Sequence, residues 1–268
     1  MLFFADLHIH SKYSRGSSSN MEPRILRSFA KVKGLNLLGT GDFSHPRWFA
    51  ELREKLEEVD ETGFHTLKEG EKDVFFLLSN EVNTSFEFEN EAKNIHHVIL
   101  VENFDVAEQV NEVLSKYGNL EVDGRPSLKC SPAELVESLI QVDRDILVVP
   151  AHLWTSWFGA LGERGFNSLE DCYGDMVRHI YAVETGLSSD PPMNWRLSAL
   201  DKYVLMSNSD SHSPWSWRLG REANVFDLDE PSFHEIVDAI RSRNRKKIVM
   251  TIEVAPEYGI PLHSGAWT

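Results

Sequence analysis

Cysteine is almost missing from this sequence. Cys130 and Cys172 are the only two. They form neither a disulfide framework nor a CxxC pair, so a zinc ribbon is excluded and a reducing cytoplasm is expected. Long apolar runs are missing too. Stretches such as Ile146-Leu147-Val148-Val149 have strand length, not membrane-span length, so no membrane association is expected. The first residues reach Asp6 without the basic start or small-residue cleavage site of a signal peptide. Basic excess is also absent: the formal net charge is −15. That argues against binding nucleic acid over a broad face, which needs a basic footprint. Carboxylates gathered around divalent cations lose negative charge locally, so any polyanion is expected to meet one metal-charged cleft. Repeats and low-complexity segments are lacking as well, and residues 16–20 and 158–167 read as surface loops.

With 41% hydrophobic residues, the chain can bury one large core. Residues 1–268 are expected to form a single domain, since barrel-type α/β folds run to about 250 residues around one core. Short β-type runs alternate with helical patterns. Strands are expected over 2–8, 36–41, 74–82, 95–101, 146–152, 180–184, 204–209 and 248–252. Helices are expected over 22–32, with Pro23 near the first position, over 106–116, stopped by Gly118, and over 233–242. Another should begin at the capping box Ser131-Pro132-Ala133-Glu134. This alternation predicts an α/β fold with a mainly parallel sheet and crossover helices. The polar link 87–94 is too short for a crossover, so its flanking strands read as a hairpin.

Imidazoles and carboxylates gather at strand ends. Asp6, His8 and His10 close the first strand, Asp42 follows the second, and Glu81 ends the third. His152 ends the fifth, and Asp210 and His212 follow the seventh. In a parallel barrel these ends share one mouth, where active sites assemble. A hairpin turn near Asn90 would put His97 almost opposite Glu81. His8 and His10, two apart on a strand, should share a face. Imidazole suits zinc or iron, and carboxylate suits manganese or magnesium as well. Glu81 could bridge two ions; ions about 3.5–4 Å apart clamp an in-line phosphoryl displacement. Each element alone has an ordinary explanation: packed or exposed histidines for His8, His10 and His97, and turn or cap residues for His152 and Asp210. Those separate explanations do not predict the joint placement. Arg15, Arg218 and Arg221 are candidates to clamp a phosphate or to form surface ion pairs. Trp154, Trp157, Trp215 and Trp217 follow His152 and His212, to stack bases or to pack under the loops.

The segments Asp6-Leu7-His8-Ile9-His10-Ser11, Gly39-Thr40-Gly41-Asp42, Glu81-Val82, His97-Val98-Ile99-Leu100, Pro150-Ala151-His152 and Ser209-Asp210-Ser211-His212 resemble the successive motifs of the polymerase and histidinol phosphatase (PHP) family. The resemblance runs from Phe3 to the strand at 248–252. It implies a distorted seven-stranded β/α barrel and a metal-dependent phosphoesterase with two or three divalent ions, zinc first, with manganese, iron or magnesium as alternatives. Gly34-Leu35-Asn36, Cys172-Tyr173-Gly174-Asp175, Gly186-Leu187-Ser188 and Arg218-Leu219-Gly220-Arg221-Glu222 are similar to the endonuclease Q subfamily, which incises DNA beside deaminated or abasic nucleotides.

By that resemblance His8, His10, Glu81 and Asp210 hold one ion, and Glu81, His97 and His152 a second. His212 serves a third ion or a proton transfer. Asp42 is taken beside His212 as a candidate catalytic residue, and Arg15 and Arg218, as guanidinium groups that match phosphate oxygens, as candidate contacts to a DNA substrate. The sequence departs from the family in two places. Phe43 stands where PHP phosphatases carry a histidine, and Ser14 and Arg15 where they carry a ligand, so Asp42 or His45 would have to serve the third ion. Endonuclease Q proteins continue into a cysteine-bearing zinc module beyond the region of resemblance, so the expectation is a piece of such a nuclease or a stand-alone relative. Two other functions stay open: a small-molecule phosphatase acting on a phosphomonoester or cyclic nucleotide, and a catalytically silent scaffold or DNA-binding subunit.

Overall fold

The computed structural model describes residues 1–259; residues 260–268, the end of the expected 1–268 domain, lie outside the described residues. The strands are β1 (Leu2–Asp6), β2 (Leu37–Gly39), β3 (Leu56–Glu58), β4 (His65–Leu67), β5 (Phe75–Phe88), β6 (Glu91–Val101), β7 (Ser127–Leu128), β8 (Leu147–Pro150), β9 (Ala182–Glu184), β10 (Val204–Met206), β11 (Ala223–Asp227) and β12 (Ile248–Ile252). The helices are α1 (Pro23–Lys33), α2 (Pro46–Lys55), α3 (Phe104–Leu114), α4 (Pro132–Val142), α5 (Leu169–Tyr173), α6 (Pro191–Asn194), α7 (Phe233–Ser242) and α8 (Pro256–Gly259).

Each expected strand is present. Sequence reasoning missed β3, β4, β7, β11 and helices α2, α5, α6 and α8. The helix starts follow their caps: Pro23 opens α1, the Asn103 side chain accepts from two backbone N–H groups at the start of α3, and Ser131 and Glu134 form the expected capping box of α4.

The fold is α/β, built on a ten-stranded sheet and a separate two-stranded sheet. The sheet expected to be mainly parallel is mixed. β1–β2, β2–β5, β5–β7 and β9–β10 pair in parallel. β1–β11, β11–β12, β3–β4, β4–β5, β5–β6 and β6–β8 pair antiparallel, because hairpins such as β5–β6 replace crossover helices. The expected seven-stranded barrel is not closed by strand ladders among the described residues. The two-stranded sheet meets the larger one through single bonds: Leu153 N donates to Glu184 O at 2.9 Å, and His10 N to Ser211 O at 2.9 Å. Short strands that splay at their ends cannot continue a ladder, and the polar side chains gathered there take its place.

The link expected at 87–94 is mostly strand. β5 and β6 pair continuously from Leu78–Val101 to Phe88–Glu91, leaving Glu89 and Asn90, both at positive φ, as a two-residue turn of the kind that matches strand twist.

Strand alternation sorts the interior into two apolar clusters. One holds Phe3, Ala5, Leu37, Leu77, Val98, Leu100, Leu147, Val149, Ala182 and Met206, on the inner faces of the strands. The other holds Leu38, Phe76, Leu78, Ile95, Ile99, Val148 and Val183, on the outer faces against α1 to α5. The strands approach so closely that a Cβ on Gly39 would lie 2.4 Å from both Leu7 O and Ser79 Oγ. Gly39→Ala is therefore expected to cost about 1–3 kcal/mol, as overpacking does; urea denaturation measures it, and an unchanged midpoint would refute the tight approach.

Behind the inner cluster, Glu222 is fully buried. Burial, then the neighbouring carboxylates Glu253 and Glu184, push its carboxyl up to about 9. An acid whose folded pKa lies above its unfolded value keeps a proton that the unfolded chain releases. Its contribution to stability is full below the ordinary 4.5 and is lost as pH rises toward about 9. Glu222→Gln has no proton to lose. It should be more stable than the unmodified chain by about 1–3 kcal/mol near neutral pH and equal to it at acidic pH. Denaturant titrations at both pH values check the crossing; a difference that does not vary with pH would count against it.

Candidate metal centre

Glu81 stands on the inner face of β5, 1% exposed. Its Oε2 lies 3.2 Å from His10 Nε2 and 3.6 Å from His8 Nε2. Its Oε1 lies 2.8 Å from His96 Nδ1 and 3.1 Å from His152 Nε2. Asp210 Oδ1 reaches His10 Nε2 at 3.1 Å and His8 Nε2 at 3.7 Å. Two donor groups result, each with its ligand atoms within 4.8 Å of one another: His8, His10, Glu81 and Asp210, and Glu81, His96 and His152. The shared member is Glu81, which offers one oxygen to each.

The pairing register decides which histidine joins the second group. Val98 faces Glu81 across the hairpin, and His97 pairs with Val82. Alternation then puts His96 on the inner face with Glu81, and His97 on the outer face beside Ile95 and Ile99. The expectation for His97 is corrected accordingly. His97 is fully buried, 5.7 Å from the Tyr173 ring; burial, aided by His96, pushes its pKa down to about 3. A one-residue offset in turn position was enough to move the assignment to the wrong neighbour.

The donor atoms are set up for cations. His8 Nδ1 lies 3.1 Å from both oxygens of Glu184. His10 Nδ1 lies 3.1 Å from Asp42 Oδ1 and from Ser14 Oγ. Each carboxylate fixes the tautomer that turns Nε2 toward the centre, the usual support of a metal-bound imidazole. His8 Nε2 is buried with no hydrogen-bond partner, a cost a polar atom does not normally bear without a ligand. This chemistry and this orphaned nitrogen fit divalent ions bound by nitrogen and carboxylate.

Several residues serve otherwise than expected. Asp42, expected to act in catalysis, is fully buried behind His10, bonded to it and to Ser11 N at 2.6 Å. It orients the His10 ring and is 0% exposed. His212 lies in neither donor group; its ring lies 4.2 Å from that of His10, tilted by 41°, and its Nδ1 bonds Asp210 O at 3.0 Å. His45 stacks on Tyr13. Arg15 and Arg218 are exposed, while Arg221 donates to Ser209 O and braces the loop that carries Asp210. Sequence reasoning missed Glu184, His96 as a donor, and Arg125, whose Nη1 donates to Glu81 Oε2 at 3.1 Å. Strand-end position was a signal for Glu184; nothing local marked Arg125.

Asp42, His152 and Asp210 all have positive φ, at 51°, 29° and 48°. Non-glycine residues pay for that conformation, and such strain clusters at functional sites. Surrounding bonds hold it: Glu184 Oε2 accepts from His152 N at 2.7 Å, and Asp6 accepts from Ser209 N at 3.0 Å and Gly220 N at 2.8 Å.

Electrostatics follow the geometry. Burial works to raise the Glu81 pKa, but His96, Arg125 and His8 overcome it and hold the carboxyl well below its ordinary range. Burial works to lower His8, but Glu184 and Glu81 raise it. Burial pushes His96 down to about 4 against the pull of Glu81.

On the loops that follow β8, β9 and β10, Trp157, Trp195 and Trp217 are exposed at 62%, 67% and 68%. Arg164 lies over the Trp157 ring at 5.0 Å. Trp154 and Trp215 instead pack inward, Trp154 donating to Asn194 and Trp215 meeting Phe29 edge-on.

No family model matches the sequence. The structure superposes on the lesion-specific endonuclease Q of Pyrococcus furiosus with a TM-score of 0.84 and 35% identity, over 96% of this chain and 60% of that one. A second endonuclease Q structure, in complex with a 27-mer duplex bearing an abasic lesion at its active site, gives a TM-score of 0.84 and 34% identity over the same shares. An uncharacterized protein of Methanocaldococcus jannaschii is 32% identical over 182 residues, 66% of this chain and 20% of that protein. The chain therefore spans 60% of the length of the endonuclease Q chains it matches.

Calorimetric titration with manganese or zinc separates the two adjacent histidines. His96→Ala should weaken or remove one of the two binding events, by about 10–100-fold in affinity. His97→Gln should keep both, whatever it does to stability. The reverse pattern would mean that the hairpin register is wrong.

Proposed function

We propose that this chain is a metal-dependent phosphoesterase domain that cleaves DNA beside a damaged nucleotide. The observation that carries the proposal is the Glu81 carboxylate shared between two donor groups, in a fold that matches a lesion-specific endonuclease at a TM-score of 0.84. His8, His10, Glu81 and Asp210 would hold one divalent ion, and Glu81, His96 and His152 a second. Such ions polarise phosphoryl oxygens and make a nucleophile available near neutral pH. Mixed imidazole and carboxylate donors favour zinc, and accept manganese or iron.

The side chains do the rest. Glu184 and Asp42 hold the rings of His8 and His10 in one orientation. His212, partly exposed beside Asp210 and made less basic by burial, would pass a proton to the leaving oxygen. The exposed tryptophans on the loops after β8, β9 and β10 would suit unstacked bases, since aromatic stacking is worth about 1–3 kcal/mol per base. The same reading takes β1, β2, β5, β6, β8, β9 and β10 as the staves of one distorted barrel, and the chain as a single catalytic domain. The buried free thiols of Cys130 and Cys172 suit a reducing cytoplasm.

A small-molecule phosphatase is the second reading, favoured by the net charge of −15. The metal-loaded protein should nick duplexes containing uracil, hypoxanthine or an abasic site, spare an undamaged duplex, and lose this activity with chelator. Hydrolysis of a chromogenic phosphomonoester without nicking would favour the second reading. Asp210→Asn should abolish turnover by either reading while circular dichroism stays unchanged; turnover retained in that variant would refute the metal mechanism.

A further inference from the structure

Arg125 belongs to none of the donor groups, yet it is built into the centre. Its Nη1 donates to Glu81 Oε2 at 3.1 Å, the same oxygen that faces His8, His10 and Asp210. Its electrostatic partners are Glu81, Asp210 and Asp123. The segment that carries it is clamped on every side. Asp123 Oδ1 accepts from Arg125 N at 3.1 Å and from Arg15 N at 3.2 Å. Gly124 N donates to Tyr13 O at 3.1 Å, and Pro126 O accepts from Asn83 N at 3.0 Å. Gly124 lies so close to the ligand support that a Cβ there would come 2.3 Å from Asp42 Oδ2. The guanidinium is thus held over Glu81 from the cleft side, with 28% of its side chain exposed.

Arg125 and a divalent ion make competing claims on one oxygen. A cation held by His8, His10, Glu81 and Asp210 consumes the charge of Glu81 and repels the guanidinium. A planar, permanently charged fork beside a phosphoryl site, robbed of its carboxylate, finds its natural partner in the nonbridging oxygens of a phosphate.

We infer that Arg125 is a phosphate-binding residue in waiting: it neutralises Glu81 until ions bind there, then engages the phosphate under attack. This rests on the reading of the two donor groups as a divalent-ion centre for phosphoryl chemistry. It replaces Arg15 and Arg218 as the principal anion contact, and gives the acidic chain a cation at the one place where an anion must approach.

The test uses the full chain with Arg125→Gln and Arg125→Lys. Manganese is titrated alone by calorimetry, and inorganic phosphate is then titrated into the manganese-loaded protein. Removing a competing cation should tighten manganese binding in Arg125→Gln by about tenfold. The same variant should bind phosphate about 10–100-fold more weakly, the usual loss of a charged hydrogen bond. Arg125→Lys should keep the manganese affinity and still bind phosphate several-fold more weakly, because an ammonium lacks the fork. An arginine that merely braces Glu81 gives the opposite metal result: weaker manganese binding in Arg125→Gln, which would overturn the inference, as would unchanged phosphate affinity. If Arg125→Gln does not fold, Arg125→Lys decides alone: weaker phosphate with intact manganese binding supports it, and unchanged phosphate binding overturns it. Neither measurement uses DNA, so a failure of lesion-dependent nicking in the unmodified protein would count against the nuclease reading and not against this one.

Discussion

One buried charge organises the molecule. Removing a carboxylate such as Glu81 from water costs several kcal/mol unless partners replace the lost hydration. Here those partners are His8, His10, His96, His152 and Arg125. They come from the end of β1, from β6, from the end of β8 and from the loop before β7. Every one of those elements must arrive in register for the charge to be tolerated. The site and the fold are therefore one problem: the strands that carry the apolar inner cluster end in the residues that compensate Glu81.

A second ring of interactions holds the first in place. Glu184 ties the ring of His8, the backbone of His152 and the amide of Asn208 to one carboxylate. Asp42 does the same for His10 and Ser11, and Asp6 for the loop that carries Asp210. These buried acids sustain positive φ at Asp42, His152 and Asp210, which strand geometry alone would not supply. They also explain why ladders give way to single bonds between the two sheets: at that end of the molecule the backbone is pinned by side chains.

The charge distribution bears on how an acidic protein would meet the proposed polyanionic substrate. A few of the acidic groups serve the interior, where Asp6, Asp42, Glu81, Glu184 and Glu222 are all buried, and Glu81, Asp42 and Glu184 among them face the histidines. Negative charge of this kind attracts divalent cations and is screened by them. With ions bound, the cleft could be positive while the outer surface is not, which would confine the proposed substrate to that cleft.

Strand alternation, helix caps and the clustering of imidazoles and carboxylates at strand ends were legible in the chain itself, because each depends on neighbours a few residues apart. So were His8, His10, Glu81, His152 and Asp210 as one set. Short strands such as β3, β4 and β7 carry too little pattern to be read, and their existence depends on what they pair with. The choice between His96 and His97 could not be made from sequence: both lie in the same strand, and only the pairing of Glu81 with Val98, set by a turn at Glu89 and Asn90, decides which ring faces inward. Arg125 was equally hidden, since its partner lies 44 positions away. Local pattern determined which residue types stand ready for metal and phosphate; tertiary structure alone decided which of them share an oxygen, because that is a matter of register and distance.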